Sequence, residues 1–584
     1  MTKNEIVERI GTLPKGSITI KKIRKPNGKI YEYYFLQWTE DGKQKTRSVK
    51  ADEIETIKLQ IEERKRLERK LSLREYDAEK APLAFNTNVS IGKELQTLVK
   101  RVENYKKRDG FDIINDYIYG NYIGKVFILY GLRRTGKTTL IHQVIKDMKP
   151  DDLCKTAFMQ ITRQDTFANF NKDLKLLQAN EYQYVFVDEV TFMADFIEGA
   201  ALLSDIYATS GMKIILSGTD SLGFWITKSN ELYDRSIFLH TTFIPYREFS
   251  RVLGINGIDS YIQYGGTMSI SGHHYNVFDS KESTDEYIDS SIAQNIQHSL
   301  KYYQYEGHFR HLYDLYQKGE LTGAINRVVE DMNHRFAIDV LEREFKSHDL
   351  GVSANNLHKD RENPTTILDD IDITTFTSRL KDMLSIKNKK EQSIAIDNIH
   401  IKQIEEYLRA LDLIYSIDIM DDDTDKPDLN RVVFTQPGLR YSQAKSFILS
   451  LSEDQLFRKL SIEEQVRLIE RILNEIKGRM AEDIILLETK LAKPDMKVFK
   501  LQFSNGEFDM VIANPKTLES EIYEIKYSKE AVIGQARHLL DNEKCIRTEH
   551  RFGKIIKKSV LYRGDDIVLN GIQYKNIEEY LNEL

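Results

Sequence analysis

The residues with the plainest chemistry lie in residues 127–140, FILYGLRRTGKTTL, where an apolar run enters a loop bounded by Gly131 and Gly136 and then meets Lys137, Thr138 and Thr139. Four residues between two glycines, followed by Lys and Thr, is the spacing with which backbone N–H groups wrap a triphosphate. On this reading Lys137 reaches the β and γ phosphates, Thr138 ligates Mg²⁺, and the helix that starts here turns its positive end to the anion. Gly131, Arg134, Gly136, Lys137, Thr138 and Thr139 are therefore the expected contacts of ATP. A second apolar run, residues 184–190 (YVFVDEV), ends in adjacent carboxylates. Asp188 would hold Mg²⁺ through water, and Glu189 would polarise the attacking water. A third run, residues 213–216, ends in Ser217, Gly218 and Thr219, with Thr219 as the small polar group beside the γ-phosphate. By itself the glycine–lysine motif also reads as a lysine-bearing turn. Three apolar runs delivering three polar tips in this order argue against that.

A second constellation stands near the end of the chain. Asp509 falls in one expected strand, and Glu524 and Lys526, one residue apart and hence on one face, fall in the next. The pattern resembles the D…ExK arrangement of the PD-(D/E)xK nucleases. There, carboxylates bind Mg²⁺, the metal activates water and neutralises the phosphate, and the lysine acts as base or charge stabiliser. Glu482, on the preceding helix, is a further candidate metal ligand, and Gln535, Arg537 and His538 match polar positions on the helix that follows. Asp, Glu and Lys are common surface residues, so chance is the competing reading. Crowded carboxylates need a neutralising cation, so convergence of Asp509 and Glu524 would imply a metal.

The elements that must position these groups follow from patterning. Residues 95–279 alternate strand and helix, which predicts a parallel sheet with helices on both faces and the nucleotide at its carboxyl edge. Residues 280–345 read as a helical lid. Residues 346–454 read as helices followed by a two-stranded hairpin, a winged-helix pattern with an acidic tip at residues 421–428, DDDTDKPD, that would repel phosphate. Residues 455–584 form the α/β unit that carries Asp509, with helices expected over 463–477 and 478–489. At the other end, residues 1–72 read as a β-hairpin and helix module, joined by a linker over 73–94. Between Lys15 and Lys50 ten Lys or Arg face three Asp or Glu, interleaved with Tyr31, Tyr33, Tyr34, Phe35 and Trp38. That suits a β-ribbon on a phosphate backbone, and equally a solvated sheet whose aromatics pack on the helix. The module resembles the small arm-type DNA-binding domains of phage integrases. The charged stretch 61–70 is expected to be a spacer.

The motifs GLRRTGKTTL, VDE at 187–189, SGT at 217–219, PYREF at 245–249 and Tyr264-Gly265-Gly266 together resemble a family of AAA-type ATPases of bacteria and archaea. Its members carry an uncharacterised C-terminal domain of restriction-endonuclease type. The resemblance covers residues 95–584 and implies an α/β multidomain chain: a P-loop AAA-type sheet, a winged-helix middle and a restriction-endonuclease-like C-terminal domain. It also implies that Arg235 is a γ-phosphate sensor or arginine finger and that the chain assembles as a homo-oligomer. Here Asp234 precedes Arg235 where the family usually has glycine, so a surface arginine paired with an acid is the alternative.

Composition bounds the rest. A chain of 584 residues and 68.1 kDa exceeds one core. No apolar stretch is long enough for a membrane helix, and the start, MTKNEIVERI, lacks an apolar signal core, so a cytoplasmic protein is expected. Cys154 and Cys545 fit neither a disulfide framework nor a zinc site. The functional expectation is an ATP- and Mg²⁺-dependent ATPase with DNA as partner and a nuclease-like C-terminal domain. The alternatives are a slow NTPase switch, or an ATP-dependent regulator whose nuclease fold is inactive.

Overall fold

A computed structural model of the chain describes residues 3–24, 30–40, 43–79, 83–193, 195–219, 232, 234–241, 244–268, 280–293, 300, 309–349, 396–423, 425–453, 457–459 and 461–584. The turns expected at Pro26-Asn27-Gly28 and Asp41-Gly42, the linker dipeptide Ala81-Pro82 and a helix expected over 376–384 lie outside the described residues.

The N-terminal strands β1 (Ser17–Arg24), β2 (Ile30–Glu40) and β3 (Lys43–Val49) form an antiparallel meander with β2 central. Alternation turns Leu36 and Val49 towards the helix Ile54–Glu79, where they pack with Ile61, while residues 43–48 stay exposed. The same helix takes a partner that patterning did not reveal. The helix Lys3–Thr12 buries Ile6 with Leu13 against Leu67, and Arg64 Nη1 donates to the carbonyls of Ile10 and Leu13 at 2.8 and 2.6 Å. The stretch 61–70 is thus the spine of this module and not a spacer.

The second sheet contains β4 (Asn88–Ser90), β5 (Val126–Tyr130), β6 (Thr156–Gln160), β7 (Tyr184–Asp188), β8 (Lys213–Gly218) and β9 (Ser236–His240), in the order β4-β6-β7-β8-β5-β9. All pairs are parallel except the edge strand β4. The strands are apolar on both faces because both are covered: Val126 and Ile128 face one core, Phe127 and Leu129 the other. Since β8 lies between β5 and β7, the carboxyl ends of these three strands stand side by side. Buried Asp173 ties down the approach to β4 by accepting from the backbone N–H groups of Asn86 and Thr87.

The third sheet joins segments that sequence patterning kept apart. Strands β10 (Ile414–Asp421) and β11 (Leu429–Phe434) form the expected hairpin, but β10 also pairs in parallel with β12 (Lys497–Gln502). With β13 (Glu507–Asn514), β14 (Glu519–Ile525), β15 (Lys554–Tyr562), β16 (Ile567–Leu569) and β17 (Ile572–Asn576), they make one eight-stranded sheet. Strands from either side of the expected boundary at 454 and 455 thus share one ladder, and the hairpin is not a free-standing wing. Its acidic tip meets the basic helix Asn542–Phe552, where Arg547 pairs with Asp422 and Arg551 donates to the Asp421 carbonyl.

Where two helices were expected, one helix runs from Ile462 to Ala492, started by a Ser461–Glu464 capping box. Gly478, the apparent break, lies inside it, in a place where a Cβ would stand 3.4 Å from Tyr527 Cβ. The helix buries Ile472, Ile476, Met480 and Ile484 in a core shared with the helices Tyr246–Leu253 and Ile258–Tyr264 and with the third sheet. Asp259 clamps this junction, accepting from Lys477, Tyr527 and Arg563. Cys154 and Cys545 are not joined in a disulfide, and no described helix is long and apolar enough to cross a membrane.

Candidate nucleotide site and acidic site

The loop after β5 turns at Gly131 (φ 143°) and Gly136 (φ 79°), values open to glycine, and at Arg134 (φ 61°), where an L-residue is strained. Lys137 opens the helix Lys137–Asp147, is buried, and donates to the carbonyls of Gly131 and Leu132, both at 2.8 Å. Burial pushes its amine down to about 8, against the pull of Glu189 and Asp188. Thr138 Oγ1 donates to Asp188 Oδ2 at 2.7 Å, and Ser217 donates to Asp188 Oδ1. A hydroxyl and a carboxylate in contact at the foot of a phosphate loop are the hard oxygen donors that Mg²⁺ takes while completing its shell with water and phosphate. These residues fit the ion. Sequence reasoning placed Ser217 beside this site without its role, which is to orient Asp188.

Glu189 sits in the left-handed region (φ 55°), and its half-buried carboxylate accepts from Thr219 Oγ1 at 3.3 Å. Burial raises its pKa, with Lys137 opposing. A carboxylate raised in this way is a better proton acceptor than an exposed one, the property needed to polarise water. Thr139 is half-buried on the first helical turn, and the Arg134 side chain is exposed while its carbonyl accepts from Met268 N at 2.7 Å. Arg235 is placed differently. Its carbonyl accepts from Val126 N at the start of β5, so it stands at the amino edge of the sheet, roughly 15 Å of strand away from the loop. There its guanidinium pairs with Asp205 at 2.8 Å. A γ-phosphate sensor role within its own chain is thereby corrected, because parallel strands carry their amino ends away from the nucleotide.

Arg108 was not singled out from the sequence, having no motif of its own. It is buried, pairs through Nε and Nη2 with both Glu248 oxygens (2.8 and 3.0 Å), and donates from Nη1 to the Thr135 carbonyl in the loop. Glu248 belongs to PYREF, and Tyr264-Gly265-Gly266 leads to Met268, so both motifs buttress the loop from behind. Gly266 (φ 114°) passes so close to Gln436 that a Cβ would stand 2.5 Å from Gln436 Cβ, and Gly438 N donates to the Gly265 carbonyl. A cavity of about 230 Å³ lies beside this buttress, bordered by Arg108, Leu140, His240, Arg247 and Glu488.

In the third sheet, Asp509 on β13 and Glu524 on β14 meet at one ammonium: Lys526 Nζ lies 3.0 Å from Asp509 Oδ2 and 2.6 Å from Glu524 Oε2. Ile525 N also donates to Asp509 Oδ2 at 2.9 Å. Burial raises the Asp509 carboxyl, but Lys526 and Lys500 overcome it and hold the group well below the usual carboxylate range. Burial and the neighbouring Asp509 push Glu524 well above that range. Lys526 is desolvated too, yet the two acids raise its pKa and so favour its charged form.

Lys500, fully buried on β12, lies 2.6 Å from Glu507, 3.3 Å from Asp509 and 3.4 Å from Glu482, while Arg479 pairs with Glu482. The crowded acids are therefore neutralised by Lys500, Lys526 and Arg479, and their convergence does not by itself require a metal. Among the described residues no group of three or more His, Cys, Asp or Glu is arranged to hold one. The Asp509–Glu524 pair retains one orphaned oxygen, Glu524 Oε1. A hard cation fits there if Lys526 withdraws; Glu482, held by two cations, does not fit as a ligand. Gln535, expected on a helix, lies in a short 3₁₀ helix (Ile533–Ala536), donating to Ser528 Oγ at 2.8 Å.

Residues 124–250 match a family model described as AAA domain, and residues 2–59 match one described as a domain of unknown function, DUF6788. No curated protein matches. A solved structure titled as the Aeropyrum pernix Orc1 protein in complex with DNA shares 13% identity over 62% of this chain and 94% of that one, with a TM-score of 0.20, a likeness too slight to carry an argument. The match over residues 124–250, together with Lys137 at the start of the helix after β5 and Asp188 and Glu189 at the end of β7, supports an AAA-type P-loop ATPase.

Proposed function

We propose that the chain is an AAA-type ATPase that hydrolyses ATP with Mg²⁺ and works on DNA. The observation that carries the ATPase is the contact of Thr138 with Asp188, beside buried Lys137 and half-buried Glu189. Lys137 and the loop amides bind the phosphates, Thr138 and Asp188 hold Mg²⁺, and Glu189 orients water; the ion, when bound, screens the charge of the leaving phosphate. Replacing Lys137 by Ala removes nucleotide binding, whereas Glu189→Gln retains binding and lowers turnover by roughly 100-fold or more. Unchanged turnover in both variants refutes the assignment.

The DNA reading is supported by the exposed basic strand β3 and by the acid–lysine site of the third sheet. On this reading Asp509 and Glu524 are metal ligands and Lys526 stabilises charge on a phosphodiester. The second reading, a regulator with an inactive nuclease fold, is favoured by one specific observation: Lys500 and Lys526 already neutralise the acids. DNA cleavage with Mg²⁺ or Mn²⁺, lost in Asp509→Ala and in Lys526→Ala, separates the two. If copies assemble around ATP, Arg235 must leave Asp205 to reach a neighbour's site, which a mass measurement with and without ATP tests.

A further inference from the structure

His538 and its neighbours form a cluster that the chemistry above does not use. The imidazole lies against the turn between β12 and β13, where Gly506 (φ 90°) has no room for a Cβ because one would come within 2.3 Å of the ring. That turn leads directly to Asp509. Arg537 Nε donates to His538 Nε2 at 3.1 Å, and Lys544 Nζ lies 2.6 Å from Nδ1. A neutral imidazole has one ring nitrogen able to accept. With Nε2 accepting from Arg537, Nδ1 carries the hydrogen and faces an ammonium; moving that hydrogen to Nε2 only transfers the conflict to Arg537. Three donors are gathered around a single acceptor. Asp541, 3.9 Å from Lys544 Nζ, is occupied in capping the helix Asn542–Phe552 through the N–H groups of Glu543 and Lys544. Burial pushes His538 down to about 4, with Lys544, Arg537 and Lys526 adding to it and Asp509 opposing. Lys526 and Asp509 are near enough to act on the ring electrostatically, so the cluster flanks the acidic site, and Arg537 is exposed to solvent.

We infer that Arg537, His538 and Lys544 bind a backbone phosphate of a nucleic-acid strand, the one adjacent to the phosphodiester held at Asp509, Glu524 and Lys526. Phosphate oxygens supply the acceptors that the cluster lacks, and the planar guanidinium of Arg537 matches them. The inference rests on the DNA reading above.

Binding of a labelled duplex across a KCl series is measured for the full-length chain, for Arg537→Gln and Lys544→Gln, and for the control Lys516→Gln, whose side chain is 75% exposed at the turn between β13 and β14. A second arm titrates inorganic phosphate in a Lys137→Ala background, which silences the nucleotide loop. Arg537→Gln and Lys544→Gln each weaken duplex binding roughly tenfold at low salt and reduce the salt slope by about one unit, while Lys516→Gln changes neither. Both also weaken phosphate binding in the second arm. Arg537→Gln is decisive alone, since an exposed side chain leaves the fold intact. A duplex bound with an unchanged slope in Arg537→Gln overturns the subsite. A wild type that binds no duplex at low salt refutes the DNA reading instead. The phosphate arm then judges the cluster separately: loss of phosphate binding in Arg537→Gln keeps it as a free-anion site, and no loss overturns it.

Discussion

Glu248→Gln tests whether the nucleotide loop is held by an ion pair behind it. The Arg108 and Glu248 side chains are 6% and 3% exposed and meet in a two-pronged contact, and Asp109 N donates to Glu248 Oε1 at 3.0 Å. Neutralising one partner strands a buried guanidinium, a loss of about 3–5 kcal/mol. At about 2–4 °C per kcal/mol for a domain of this size, the ATPase transition falls by roughly 10 °C. Calorimetry reads that shift, and ATP titration reads the loop, whose Thr135 carbonyl depends on Arg108 for a donor. The double variant Arg108→Met/Glu248→Leu, which removes both charges at similar bulk, recovers most of the stability but not the ATP affinity. A shift below about 2 °C in Glu248→Gln, or a double variant no more stable than the single one, refutes the reasoning. The pH dependence has a definite sign. Burial raises the Glu248 carboxyl, but the hydrogen bonds and charge of Arg108 more than offset this and leave it below its ordinary value. The ion pair therefore contributes above the usual carboxylate range and is lost as pH falls through the lowered pKa. On acidification the wild type loses its transition more steeply than the double variant.

Two further outcomes follow from the same buttress. Burial pushes Glu488 up to about 8, so the folded state keeps a proton that the unfolded chain releases from about pH 4.5 upward. Stability from this group is full at low pH and is lost as pH rises through about 8; Glu488→Gln accordingly melts higher than wild type at alkaline pH, with little difference near pH 4, and equal melting at both refutes the assignment. Gly266→Ala meets both a positive φ and Gln436, and costs about 1–3 kcal/mol by thermal denaturation; an unchanged transition would show that the contact yields freely.

The nucleotide site was legible because its geometry is local. Gly131, Gly136, Lys137 and Thr138 are consecutive parts of one strand-loop-helix unit, and apolar runs ending in Asp188 and Ser217 are a pattern that only covered parallel strands impose. Alternation likewise put Glu524 and Lys526 on one face, a period-two consequence that holds wherever the strand lies.

What tertiary structure alone decided is who neutralises whom. The sequence determined that Asp509, Glu524 and Lys526 could meet, but not that Lys500, on another strand and fully buried, would bring a second ammonium among them. It identified a hairpin at 414–434 but not its parallel pairing with β12, some 80 residues later in the chain, because strand partners are chosen by packing against a shared core and leave no periodic trace. Arg235 stood near a family position in sequence, though after Asp234 instead of glycine, and its place at the amino edge was set by the direction of β9. Arg108 and Glu248 show the same division: Arg108 has no motif and Glu248 stands in PYREF without a stated role, and only the fold, by removing both from water, makes their pairing a condition of the loop's shape.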